Sequence, residues 1–161
     1  METIIRDAEE KDVESIKAIA VEAWESIYDS FRKLMGDEFF NATRSDWKTE
    51  KARQVENHFR EYPEYVFVTE HKGQVIGFLT YHLVKHKKLG VIGNNAIKPE
   101  FQGMGFGTKQ HQTALDRFRQ AGMKYAEVYT GCDESHAPAR AAYEKVGFEP
   151  KLYMVTYYAK L

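Results

Sequence analysis

Ile97-Lys98-Pro99-Glu100-Phe101-Gln102-Gly103-Met104-Gly105-Phe106-Gly107-Thr108 stands between an apolar run containing Val91 and Ile92 and a segment with helical spacing. Proline removes a ladder donor, so Pro99 marks the end of a strand. Three glycines on alternate positions let backbone approach a ligand closely and tolerate positive φ. A helix that starts here points its unpaired N–H groups, and the positive end of its dipole, into the turn. Such a place suits a phosphate or pyrophosphate, and a tight turn without a ligand is the plainer alternative. Two known phosphate loops do not fit. A Walker loop needs Gly-Lys-Ser/Thr, and Gly107-Thr108-Lys109 has the wrong order. A dinucleotide fingerprint needs its third glycine where Thr108 stands or, one glycine later, a small residue where Gln110 stands.

The remainder of the chain sets the frame for this turn. A length of 161 residues predicts one domain, residues 1–161, large enough to bury a core. The formal net charge of -1 gives no global basic field for nucleic acid. Cys132 is the single cysteine, which excludes an internal disulfide and a multi-cysteine zinc site, and no metal is expected. No signal segment and no long apolar run is visible, so a soluble, cytoplasmic protein without membrane attachment is expected.

Taken in order, Thr3 to Arg6 reads as a first strand. Val13, Ile16, Ala20, Ala23, Trp24 and Ile27 form an apolar stripe at helical spacing, continuing through Tyr28, Phe31 and Met35 to Gly36, with a bend at Ser26 or Ser30 as an option. Ser45 and Asp46 open another helix carrying Trp47, Val55 and Phe59, which Pro63 closes. After Pro63 the texture turns β-branched and aromatic. Tyr65 to Thr69, Val75 to Val84 and Leu89 to Ile97 predict three strands joined by short turns, hence an antiparallel meander. Lys85-His86-Lys87-Lys88 reads as a solvated hairpin connection. Beyond the glycine turn, Ala114, Leu115, Phe118 and Ala121 predict a helix stopped by Gly122, and Lys124 to Tyr129 a strand parallel to the third. Ser135 is the expected cap of a last helix with Pro138 in its first turn, and Lys151 to Tyr158 a closing strand. The expected class is α/β in the broad sense, of α+β type, with a mixed sheet and flanking helices.

A second dense motif follows the first by about thirty residues, His136-Ala137-Pro138-Ala139-Arg140-Ala141-Ala142-Tyr143-Glu144-Lys145-Val146-Gly147-Phe148. The pair strongly resembles the GNAT superfamily of acyl-CoA-dependent N-acetyltransferases. Gln102, Gly105 and Gly107 match that family's Gln/Arg-x-x-Gly-x-Gly/Ala loop, and the second stretch resembles its Asn-x-x-Ala…Tyr-Glu-Lys-x-Gly-Phe segment. His136 departs from the usual asparagine, and imidazole replaces only part of an amide's hydrogen-bond pattern.

The resemblance implies a GNAT fold whose mostly antiparallel sheet splays into a V, and acetyl-CoA as co-substrate. It implies cofactor contacts along Gln102, Gly103, Met104, Gly105, Phe106, Gly107 and Thr108, at Ala96 and Ile97 on the open edge, and at His136. It implies transfer of an acetyl group to a primary amine by direct attack, with Tyr143 as general acid for the departing thiolate. Asn94 and Asn95 are candidates to add a side-chain amide. An alkyl amine with pKa near 10 is neutral in only about one molecule in a thousand at pH 7, so a base is needed. His82, Glu127 and His136 are the candidates. Trp24, Tyr28 and Phe31 are candidate walls for the acceptor, with Glu25 and Asp29 beside them. Many relatives are homodimers. A CoA-binding sensor without catalysis is the alternative reading; it would not need Tyr143.

Overall fold

A computed structural model describes residues 3–161 of the chain. Five strands form one sheet in the order β1-β2-β3-β4-β5: Thr3–Asp7, Val66–His71, Gln74–Val84, Leu89–Ile97 and Tyr125–Val128. The first four are antiparallel to their neighbours, and β5 lies parallel to β4. Among the described residues five α-helices accompany them: α1 Val13–Met35, α2 Asp37–Arg44, α3 Trp47–Glu61, α4 Phe106–Gln120 and α5 Ala137–Lys145. This is the mixed, mostly antiparallel sheet with flanking helices that the sequence led us to expect.

Two apolar layers sandwich the sheet. Val66, Val68, Phe78 and Ala96 pack with Val13, Ile16, Ile19 and Ala20 of α1 and Val55 and Phe59 of α3. On the other face Phe67, Leu79, Tyr81 and Ile92 pack with Ala114 and Phe118 of α4. Gly90 allows this second contact, because a Cβ there would stand 2.3 Å from the Phe118 ring. Among the described residues, no helix is long and apolar enough to cross a membrane.

Two irregularities shape the functional end of the sheet. Opposite β3, Leu79 pairs with Asn95 but Tyr81 pairs with Ile92, so β4 carries one extra residue between them. Side chains alternate faces with period two, so one inserted residue reverses the alternation. Ile92 and Ala96 accordingly sit in opposite layers although an even number of positions separates them. Asn95 thereby turns toward α4. The second irregularity is the short reach of β5, which pairs with β4 only from Leu89 to Ile92. From Gly93 to Ile97 that edge of β4 has no strand neighbour among the described residues, and the sheet opens there into the expected splay.

Four local expectations need correction. Helix α1 is continuous from Val13 to Met35, so neither Ser26 nor Ser30 divides it, and Gly36 ends it with φ of 81°. Helix α2 was not anticipated; its eight residues are too few to display a repeat of the apolar pattern. Ser135 does not cap α5. Its hydroxyl binds the Asp133 carboxylate within a 3-10 turn, Glu134–His136, and His136 precedes the helix. Lys151 to Tyr158 forms no strand. Alternation creates one wettable and one apolar face but supplies no partner, and Leu152, Tyr153, Met154 and Val155 are all exposed. Tyr158 instead reaches the α2 region, accepting a hydrogen bond from Arg44 at 3.1 Å and meeting the Phe39 ring edge-on.

Candidate functional site

A cleft of about 1040 Å³ opens at the splay. Its wall includes the glycine turn, the unpaired half of β4, the start of α5 and parts of α1 and α3. Gly103 and Gly105 have φ of 76° and 84°, a region that side-chain-bearing residues rarely adopt. A Cβ at Gly103, Gly105 or Gly107 would meet nothing within 4 Å, so Gly103 and Gly105 serve backbone conformation and the space above the turn is open. Gly105 precedes α4, and the first helical bond runs from the Lys109 amide to the Gly105 carbonyl at 3.0 Å. The amides from Gly103 to Thr108 come before it without a backbone acceptor among the described residues. They form a concentrated set of donors at a helix N-terminus, which suits a pyrophosphate. Gln102 fixes the entry to the turn, its amide donating to the Ile97 carbonyl at 3.0 Å.

Most of the expected contact residues border this space. Ala96, Ile97, Gln102, Gly103, Gly105, Gly107, Thr108 and His136 line the cleft. Met104 is exposed, and the Phe106 ring packs against His71 at 5.3 Å, so neither side chain forms part of the wall. His136 Nδ1 bonds Asp133 at 2.6 Å, and Arg140 donates to the Gly131 and Asp133 carbonyls at 2.7 Å each. The imidazole is thus held by its own loop. Gly131 is required beneath it, since a Cβ would lie 2.4 Å from His136 Nδ1.

Tyr143 is buried at the back of the cleft. Its hydroxyl accepts a hydrogen bond from Asn95 Nδ2 at 3.0 Å, and Asn95 Oδ1 lies 3.0 Å from His111 Nε2. An amide oxygen only accepts, so His111 carries its proton on Nε2. Burial pushes the His111 imidazole down to about 4, against a smaller opposing pull from the Ala142 backbone, so the ring is neutral at pH 7. Its ring stands 4.5 Å from that of Tyr143. The donors therefore run one way, from His111 through Asn95 to Tyr143. The phenol receives a bond without giving one, leaving its own proton for a group in the cleft. Burial raises the phenol above its usual range, partly offset by the Asn95 bond, so it is protonated at neutral pH. The insertion in β4 turns Asn95 toward this chain of donors.

His82 and Glu127 both line the cleft. They pair across the sheet with the same residue, Val91, one from each side, and so share one face. Glu127 is half-buried and His82 exposed. Of the three aromatic candidates only Trp24 lines the cleft. Tyr28 stacks on Trp47 with centroids 4.1 Å apart, and Phe31 meets Tyr28 edge-on at 5.5 Å, so both serve packing around α2 and α3. Glu25 pairs with Lys48 on the surface. Cys132 is exposed and lies outside the cleft. Among the described residues no cluster suited to a metal ion occurs.

Two residues of the site were missed in the sequence. His111 lies three, four and seven positions before Ala114, Leu115 and Phe118, on the apolar stripe of α4. Lys51 lies midway between Trp47 and Val55 at four-residue steps, on the buried stripe of α3. A polar residue in a helix's apolar row was the available signal in both cases.

Comparison with known proteins agrees with this geometry. The family model described as "Acetyltransferase (GNAT) family" matches residues 24–148. An uncharacterized N-acetyltransferase of Archaeoglobus fulgidus is 27% identical over 136 residues, spanning 79% of this chain and 81% of that protein. The PaiA N-acetyltransferase of Thermoplasma acidophilum, solved with coenzyme A, superposes with a TM-score of 0.75 at 18% identity, covering 94% of this chain and 92% of that one. A GNAT family acetyltransferase of Brucella melitensis, solved with acetyl-CoA, gives 0.62 at 19% identity, covering 92% and 84%. With the glycine turn, the splayed edge and the match over most of its length, the chain belongs to the GNAT acetyltransferase family.

Proposed function

We propose that this protein moves an acetyl group from acetyl-CoA to a primary amine by direct attack within the cleft. The observation that carries this reading is the one-way run of donors ending at Tyr143, placed in the same cleft as a phosphate-suited turn. Acetyl-CoA supplies an activated thioester and a thiolate leaving group. The amides from Gly103 to Thr108 hold the pyrophosphate by backbone donors that need no rearrangement on binding. The open edge of β4 near Ala96 and Ile97 offers peptide groups to the amides of the pantetheine arm, as a neighbouring strand would. Pre-set donors on this edge also face the charge that develops on the thioester oxygen.

Glu127 takes the proton from the acceptor's ammonium, directly or through a water. Its half-burial in the cleft favours it over the exposed His82 on the same row. The amine nitrogen then bonds the thioester carbon, the carbon–sulfur bond breaks, Tyr143 gives its phenolic proton to the sulfur, and the second proton leaves the nitrogen and restores the phenol. His111 and Asn95 act as positioning residues, keeping the phenol's lone pair occupied and its proton free. A sensor that only bound the cofactor would have no use for this arrangement.

Tyr143→Phe tests the reading, because it removes the proton and keeps the ring. It should lower kcat by about 10²-fold or more while the acetyl-CoA dissociation constant, measured by calorimetry, stays within about twofold. Unchanged turnover would remove Tyr143 from the chemistry.

A further inference from the structure

Lys51 is a buried cation that the transfer mechanism leaves unused. It lies on α3 with its ammonium at the cleft, donating to Gln54 Oε1 at 2.7 Å and to Asn94 Oδ1 at 3.0 Å. The same ammonium stands 4.4 Å from the centroid of the Trp24 indole. These partners are neutral, and no carboxylate approaches within 4.0 Å among the described residues. Nearby acids are engaged elsewhere, Glu50 with Arg53 and Glu25 with Lys48. An ammonium has three donors, so one N–H remains after the two amide oxygens are served. Burying a charge without a counter-charge is costly, and such sites are stabilised by an arriving anion. Burial lowers the Lys51 ammonium to about 8, which leaves it mostly charged at pH 7.

The position says which anion is wanted. Lys51 bonds Asn94, within the stretch that carries the β4 insertion and upstream of the glycine turn. It therefore serves the acyl-transfer end of the cleft and not the pyrophosphate end. Glu127, on the same face of the sheet, is the single carboxylate among the residues lining the cleft. A site for a polycation would carry several acids and no buried lysine. One buried ammonium with one carboxylate complements a zwitterion.

Resting on the reading above, we propose that the acceptor is a small amino carboxylic acid whose carboxylate binds Lys51 while its amine is delivered to the Glu127 side of the cleft. Lys51 is then the residue that selects the acceptor.

The test uses the full chain with the twenty standard amino acids, β-alanine and 4-aminobutanoate, each beside its carboxamide, with spermidine as the polycation. Binding is measured by calorimetry in the presence of CoA, and turnover by thiol release with acetyl-CoA. An amide's α-amine is less basic, so chemistry alone favours the amide. We expect at least one acid to bind and react with kcat/KM about 10- to 100-fold above its amide, the range of one charge-assisted bond. Lys51→Met should raise KM for that acid by a similar factor with kcat changed less than about threefold, and Lys51→Arg should recover part of it. If Lys51→Met does not fold, the acid-against-amide comparison on the unaltered protein decides. Amides or spermidine preferred over every acid would overturn the proposal. So would acetyl-Lys51 found by mass spectrometry after incubation with acetyl-CoA alone, since Lys51 would then be the acceptor itself. Lys51-dependent binding of an acid without thiol release would keep the carboxylate site at Lys51 and sink the transferase reading, and with it the acceptor role.

Discussion

Acidification should destabilise this protein through His111 before its carboxylates titrate. Folded, the buried imidazole has a pKa of about 4 against an ordinary 6.5. The unfolded chain therefore binds a proton that the folded chain refuses between these values, and stability falls as pH drops through the window. The full gap corresponds to about 3 kcal/mol, of which about 2 kcal/mol is lost on going from pH 7 to pH 5. His58 is also lowered, mainly by burial, and adds loss of the same sign. Asp12 and Asp133 are lowered as well, the Asp12 case despite burial and through its bonds to Arg6 and the Glu9 amide. Their contribution is present above the ordinary carboxylate value and is lost only as pH falls through lower values. A His111→Gln comparison isolates the imidazole, since glutamine keeps a donor for Asn95 and does not titrate. Urea unfolding at both pH values should show the parent losing about 2 kcal/mol more than the variant. Equal losses in the two proteins would mean that His111 is not buried neutral, and the direction assigned to the donors reaching Tyr143 would fail with it.

Further expectations concern the site. Glu127→Gln should lower kcat by about 10²-fold or more, while His82→Asn leaves it within about threefold; the reverse pattern would transfer the base role to His82. Gly105→Ala forces a side chain onto φ of 84° and should cost about 1–2 kcal/mol of stability, read by urea unfolding. The same substitution should weaken acetyl-CoA binding, because it disturbs the amides that open α4, and unchanged affinity would remove the turn from the cofactor site.

Different parts of this molecule were legible to different degrees. The bounds of β4 at Leu89 and Ile97 are those the sequence predicted, because β-branched residues, a charged turn and Pro99 punctuate it on both sides. The parallel placement of β5 followed from the strand–helix–strand order once the intervening helix was recognised. The glycine turn and Tyr143 were visible as motifs. The insertion in β4 was not, since ungapped alternation from Ile92 would turn Asn94 toward α4, and only pairing with β3 shows that Asn95 faces that layer instead. His111 and Lys51 were hidden for a related reason: a helix stripe records which residues face inward but not what they meet. The tail after Phe148 failed in the opposite direction, because its alternation fits a strand, yet it joins no edge of the sheet. Tyr28 and Phe31 had the right spacing for a wall, yet α2, which the sequence did not announce, is where they pack.

The most direct measurement combines thiol release from acetyl-CoA with mass spectrometry of an amine panel, run on the unaltered protein and on Tyr143→Phe. Stoichiometric thiol and a mono-acetylated amine are expected, both sharply reduced in the variant. Acetyl-CoA bound tightly with no acetylated amine across amino acids, polyamines and peptide N-termini would contradict the transferase reading and leave a cofactor-binding protein in its place.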